Sequence, residues 1–257
     1  MILFFIKKVF FDTWDNLLTI VLFNIGFSII IAGFSYLAFL FEPAGIGYFI
    51  TVIIAVFIFN FYASTVSGYM NELIAGTSPD LKQFPELFKK YFKSSAVISG
   101  ISIIQIAALI IGFPFYFSIG GLPGLVGLVT LFWISVLWWA AIQYFFPVAA
   151  QLETSIKKQF KKSFILLLDN TFFSIFLGLY TIFTLGLSFF TALLIPGITV
   201  ALLAHQVALK LRLYKYDYLE ENKEANRKNI PWAELLYEEK ERIGTRTIKG
   251  MIFPWKE

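Results

Sequence analysis

The chain has 257 residues, 58% of them hydrophobic and 19% aromatic, with a mean hydropathy of +0.74. Soluble domains use roughly 45–50% apolar residues, so this composition excludes an ordinary water-solvated domain and puts a bilayer in the role of solvent. The net charge of +4 sits beside apolar stretches rather than on a basic face, which argues against a nucleic-acid partner, and the absence of cysteine removes disulfides, thiolate metal sites and a thiol nucleophile.

None of the 21 Lys and Arg residues falls between Lys8 and Lys82, between Lys93 and Lys157, or between Lys162 and Lys210. Each gap has room for two passes through a hydrocarbon core of about 30 Å, at roughly 20 residues per helix. The pattern predicts an all-α polytopic transmembrane helix bundle of six spans, with both termini on the side of the basic clusters, which the positive-inside rule reads as cytoplasmic. Residues 1–215 then form the transmembrane domain and residues 216–257 a cytoplasmic tail, leaving no room for a separate soluble catalytic domain.

In chain order, Met1 to Asp15 surrounds Lys7 and Lys8 with Phe4, Phe5, Phe10, Phe11 and Trp14, which predicts an interfacial helix whose lysines snorkel to the headgroups. Span one follows over Asn16 to Phe41, too long for a signal-peptide core, and Glu42-Pro43-Ala44-Gly45 makes the outer turn. Span two covers Ile46 to Tyr69. From Ala75 to Lys93, apolar residues recur at spacings of three and four between lysines, predicting a short amphipathic surface helix that Ser78 or Asp80 caps.

No residue from Ser94 to Leu152 is charged, and Gly120-Gly121-Leu122-Pro123-Gly124 predicts an outer turn between spans three and four. Pro147 falls at the inner end of span four, before a second basic amphipathic segment over Glu153 to Phe164. Asn170 to Leu209 fits two short spans with a turn near Gly186 to Phe190, and Pro196-Gly197 is expected to kink the sixth; a single kinked helix is the alternative. Lys-Lys followed by aromatics recurs before each apolar run, a repetition that interfacial physics explains without a duplicated fold. In the tail, Pro231 opens a helix expected to run to Ile243 and stop at Gly244. The apolar tip Met251, Ile252, Phe253 and Trp255 is a candidate partner-binding segment, with docking onto the protein's own inner face as the alternative.

Polar side chains at bilayer depth are the natural candidates for function, and here they are Asn24, Asn60, Gln105, Gln143, His205 and Gln206. None is a carboxylate, and the acidic residues sit only at span ends, which disfavours an ion-coupled pump. His205 reads as a satisfied interhelical histidine, with a proton relay as the rival; without Cys or carboxylate neighbours at ligand spacing it makes no metal site. Ser64-Thr65-Val66-Ser67 has no nearby base and reads as helix packing through small residues. Asn24 and Asn60 are expected to bond to each other or to Gln105, or else to line a polar path. No catalytic or cofactor motif occurs, so an enzyme is not expected.

Phe11-Asp12-Thr13-Trp14-Asp15-Asn16-Leu17-Leu18, Asn24, Tyr144-Phe145-Phe146-Pro147-Val148-Ala149 and the basic run Lys157 to Phe164 resemble the YesL family of bacterial multi-pass membrane proteins, over about Val9 to Lys215. The resemblance implies a bacterial cytoplasmic membrane and an accessory role beside a carbohydrate uptake system, with transporter subunits as partners; it carries over no functional residues. Two functions are therefore expected: a non-enzymatic accessory or scaffold of a transport system, and an autonomous small-solute permease or channel lined by Asn24, Asn60, Gln105 and Gln143.

Overall fold

A computed structural model describes residues 1–41, 43, 45–77, 79–152, 155–224, 226, 229–244 and 246, and the regular structure of these residues is helical. Five segments are long and apolar enough to cross a membrane: Leu17–Phe39, Ile46–Ile74, Leu81–Ile119, Gly121–Gln151 and Thr171–Phe189. These make a multi-pass membrane protein.

The N-terminal helix α1 (Ile2–Asp15) leads into α2 (Leu17–Phe39), which pairs with α3 (Ile46–Ile74). A short 3-10 turn (Leu81–Gln83) precedes α4 (Phe84–Ile119), and α4 pairs with α5 (Gly121–Ile142). Then come α6 (Phe145–Gln151), α7 (Ile156–Asp169), α8 (Thr171–Phe189) and α9 (Gly197–Glu221), and finally α10 (Trp232–Leu235) and α11 (Tyr237–Ile243) in the tail.

The helix at the centre is α9, which touches α1, α2, α3, α6 and α8. Leu203, Ala204, Val207, Ala208, Leu209 and Leu211 are fully enclosed, and the alanines let neighbouring backbones approach closely. Hydropathy alone does not mark this helix as a span, because Lys210, Arg212 and Lys215 interrupt it.

The chain termini meet at one end of the bundle. Lys8 of α1 pairs with Glu239 of α11 at 2.8 Å, and Arg246 grips Asp15 through two bonds of 2.8 and 3.0 Å. Burial concentrates at this end. In α3 it covers Ala63 to Met70, and in α4 it stops at Ser99, whereas the far halves of α2, α3, α4 and α5 carry exposed Ile, Leu and Phe. Such faces need no protein cover where lipid tails are the solvent.

Several sequence expectations change. The first helix does not lie free at the interface: Phe5 stacks edge-on against Phe173, Phe176 and Tyr180 of α8, and Lys8 is fully buried in ion pairs instead of snorkelling. The segment expected as a separate amphipathic helix is the first part of α4. No residue there breaks the helical register, and Pro85 sits in the first turn, where its missing N–H is harmless. Asp80 caps the 3-10 turn that leads into α4, accepting from the Lys82 N–H at 3.0 Å, while Ser78 lies outside the described residues. The turn between α4 and α5 shrinks to Gly120, whose φ of +65° suits glycine, and Leu122 to Gly124 are already helical. Of the second basic segment, Ile156–Asp169 forms α7 and residues 153–154 are not described. The tail helix breaks at Leu236 into α10 and α11 before Gly244 stops it.

Residues 170–209 form two helices, but their connection runs over residues 190–196, and Pro196 caps the start of α9 where a kink inside it was expected. Side chains fix this connection. Asn24 Nδ2 donates to the Leu194 and Pro196 carbonyls, both at 2.9 Å, and Asn24 Oδ1 accepts from the Thr199 N–H at 3.0 Å. Ser188 Oγ accepts from the Gly197 N–H at 2.7 Å. Gly197 has a φ of +71°, and a Cβ there would collide with the Asn24 amide, so both geometry and space demand glycine. Asn24 therefore does not bond to Asn60 or Gln105 as expected. It lies near the start of α2, and at 1.5 Å per residue α2 continues about 22 Å beyond it.

Candidate functional site

Four of the six polar candidates converge on one cavity. Asn60 of α3, Gln105 of α4, Gln143 just after α5 and His205 of α9 line a space of about 330 Å³ together with Ser102 and Thr181. Its apolar walls are Trp138 and Trp139 of α5 and Phe145 and Phe146 of α6. No Asp, Glu, Lys or Arg is among the described lining residues.

Each side chain is placed by its own helix. Gln143 sits where α5 gives way to α6, and its Nε2 donates to the Ala140 and Ser174 carbonyls at 2.8 and 3.0 Å, leaving its Oε1 free of bonds to described residues. His205 Nε2 shares a 2.9 Å hydrogen bond with Thr181 Oγ1 of α8, so the histidine is the satisfied interhelical one. The Thr181 hydroxyl already donates to the Leu177 carbonyl at 2.9 Å, which makes His205 Nε2 the donor and leaves Nδ1 as an acceptor. Asn60 Nδ2 donates to Val56 of its own helix at 2.9 Å, and its carbonyl oxygen makes no bond to described residues. Gln105, half-buried, makes no side-chain hydrogen bond within the described residues. The cavity thus presents amide and imidazole groups with unused donors and acceptors, framed by aromatic faces. Apolar walls with a few placed polar groups are the usual make-up of small-molecule sites.

A second cavity of about 530 Å³ lies between α2, α3 and α4 and shares Asn60, Ser102 and Ile106 with the first. It reaches Ala38, Tyr48 and Thr51 near the far ends of α2 and α3. The two cavities are neighbours on either side of Asn60, Ser102 and Ile106, the second toward the far ends of α2 and α3 and the first toward His205. Below them, toward the termini, the helices close. Ser64 bonds Ser95, Ser94 donates to Gln159 at 3.0 Å, and Gln206 bonds Ser67 at 2.8 Å while accepting from Gln151 at 2.8 Å. Gln206 thus belongs to this packed floor, and so does the Ser64 to Ser67 patch, as small-residue packing predicts. Asn24 stands apart as the clamp of the α8–α9 connection.

Sequence reasoning missed Ser102, Thr181 and the tryptophans. Ser102 lies three residues before Gln105, on the same helix face, and Trp139 four residues before Gln143, so helical spacing carried a signal for both. Thr181 had none, because its partner His205 lies on another helix. The tip residues Met251, Ile252, Phe253 and Trp255 lie outside the described residues. The described part of the tail is folded onto the bundle, with Glu239 held by Lys8, Lys210 and Arg242 and by the Tyr214 hydroxyl. Burial alone would raise the Glu239 carboxyl, but Lys8 and Lys210 bring it down to about 2. Asp12 moves the other way, raised by burial beyond what Lys8 offsets.

No known protein family matches this chain, and no curated protein or solved structure matches it.

Proposed function

We propose that the protein is a membrane permease-like solute binder that takes a small uncharged polar solute into the cavity between α3, α4, α5, α8 and α9. The observation that supports this most directly is the convergence of Asn60, Gln105, Gln143 and His205 on one uncharged, aromatic-walled space. Charged solutes are disfavoured because bringing an ion to that depth without a counter-charge is costly. Entry from the far side is supported by the second cavity, whose lining includes Ala38, Tyr48 and Thr51 near the far ends of α2 and α3, and by the Ser64–Ser95 and Gln206–Ser67 floor at the other end.

The same reading sets the topology. Basic clusters beside the termini favour that end as cytoplasmic, in a bacterial cytoplasmic membrane as the resemblance implies. Of the six passes expected, α2 to α5 cross fully. The α8–α9 pair enters to about the depth of Asn24 and returns, which keeps both termini on one side. Its connection is apolar outside, and its inward-facing backbone groups are taken by Asn24 and Ser188, the condition under which irregular backbone is tolerated at membrane depth.

The accessory role beside a carbohydrate uptake system is the second reading, favoured by the exposed Lys157, Lys158 and Lys161 on α7, which offer a basic docking face at the termini end. Liposome flux separates the two. Vesicles carrying the wild-type chain should admit glycerol and a monosaccharide faster than empty ones, and Asn60→Leu with Gln105→Leu should lower that flux several-fold. Flux that the double substitution leaves unchanged, or no flux of either probe, sinks the permease reading.

A further inference from the structure

We infer that Arg212 is the receptor for a phosphate group at the termini end of the bundle. Three cationic side chains are buried among the described residues: Lys8, Lys215 and Arg212. The first two have carboxylate partners, Lys8 with Asp12 and Glu239 at 3.0 and 2.8 Å and Lys215 with Asp169 at 3.1 Å. Arg212 is only 8% exposed and makes no hydrogen bond or ion pair with any described residue; its Nε is shut away from solvent without a partner.

Aromatic rings hold the guanidinium in place. Its Cζ lies 4.0 Å from the Phe173 ring centroid of α8 and 5.8 Å from that of Trp232 of α10. Cation–π contacts engage the charge of the guanidinium without accepting its N–H hydrogen bonds, so the donors stay available to a ligand. The adjacent Asp169 carboxylate is occupied by Lys215 and by the Tyr216 hydroxyl at 2.7 Å. Asp169, the counter-charge within electrostatic reach of Arg212, is thus already engaged, and no carboxylate among the described residues bonds this buried guanidinium, whose fork of donors matches two oxygens of a phosphate.

The surroundings suit a phospholipid as the source. Phe172, Ile175, Leu179 and Ile182 are exposed on α8, beginning beside Phe173, and their spacing of three to four residues makes one apolar strip along which acyl chains can lie. Basic pockets between helices at the cytoplasmic face are characteristic headgroup sites. Free phosphate offers the same chemistry to Arg212 without the strip.

The test uses the full chain in detergent, stripped of lipid and read by intact-complex mass spectrometry. Phosphatidylglycerol, diacylglycerol with the same chains and no phosphate, and inorganic phosphate are the probes. Wild type should retain phosphatidylglycerol through washing and release diacylglycerol, and Arg212→Gln should lose the phosphatidylglycerol at least tenfold more readily. Arg212→Lys, which keeps the charge without the fork, should fall between. Inorganic phosphate bound in an Arg212-dependent way, without lipid retention, assigns the site to the free anion. Equal retention by wild type and Arg212→Gln, binding of neither phosphate probe, or equal retention of phosphatidylglycerol and diacylglycerol by wild type overturns the inference. The last two comparisons need no variant and hold even if Arg212→Gln fails to fold.

Discussion

The two ends of the bundle hold together by different means. At the termini end, α1, α9 and α11 bring Lys8, Asp12, Lys210, Glu239 and Arg242 into one cluster, and a layer of serine and glutamine side chains ties α3, α4, α6, α7 and α9. At the far end, α2 to α5 present exposed apolar faces with few polar ties between them. The difference teaches that burial is a poor index of fit in lipid. Association there gains nothing from hiding apolar surface, so specific polar bonds at one end define which helix sits beside which, and the far end is left loose enough to contain cavities.

The strongest way to break this contrast is Glu239→Gln. Three cations face Glu239, and removing its charge leaves Lys8 and Lys210 with Asp12 as the remaining nearby carboxylate. Losing one partner of a buried pair costs about 3–5 kcal/mol, so the thermal midpoint should drop and the tail should become sensitive to protease. Acid should imitate the variant. The folded Glu239 carboxyl lies at about 2, below its ordinary 4.5, so its contribution is complete above 4.5 and is lost as pH falls from there toward 2. Asp12, raised by burial, already binds its proton more readily in the folded state and adds nothing to this acid lability. A tail whose protease sensitivity is flat from pH 6 to pH 3 would refute the coupling.

Smaller in size, and aimed at the boundary between the two regions, is the pair Asn24→Leu and Asn60→Leu. Asn24 serves two carbonyls and one N–H of the α8–α9 connection, and its loss should destabilise the chain by about 1–3 kcal/mol. Asn60 bonds only its own helix, so Asn60→Leu should change stability by less than about 1 kcal/mol while altering solute flux. Equal unfolding midpoints for the two variants in the same detergent would erase the distinction between clamp and cavity residue.

How much of this was legible in the sequence depends on how far apart the partners lie. The charge-free gaps, the Asp80 cap, the break near Gly120 and the stop at Gly244 are local signals, and they place α2, the start of α3 and the α4–α5 boundary within a few residues, whereas the continuity of α4 from Phe84 past Ser94 was not readable from them. Gln105 and Gln143 stand out because amides are rare in apolar runs. The buried Lys8 was unreadable, since its partner Glu239 lies at the other end of the chain and an N-terminal lysine among phenylalanines has the composition of an interfacial helix. The connection at residues 190–196 was equally hidden: its determinants are Asn24 on α2 and Ser188, the penultimate residue of α8, and neither looks like a turn residue in its apolar run.

The gentlest probe leaves stability nearly untouched and reads depth. The chain has no cysteine, so single cysteines report one position at a time. Phe190 in the α8–α9 connection is 85% exposed and Leu122 at the start of α5 is 74% exposed, so each Phe190→Cys and Leu122→Cys change falls within the roughly 0.5 kcal/mol typical of surface substitutions. Both sites are therefore free of protein cover, and any difference in labelling must come from the membrane. If α4 and α5 cross fully while α8 and α9 turn back near the depth of Asn24, a membrane-impermeant maleimide added outside intact vesicles should label Leu122→Cys and spare Phe190→Cys until detergent is added. Equal labelling of both would carry the α8–α9 connection to the far surface, restore six full passes, and require the about 22 Å of α2 beyond Asn24 to project past the bilayer, which its exposed Ile29, Leu37 and Phe39 oppose.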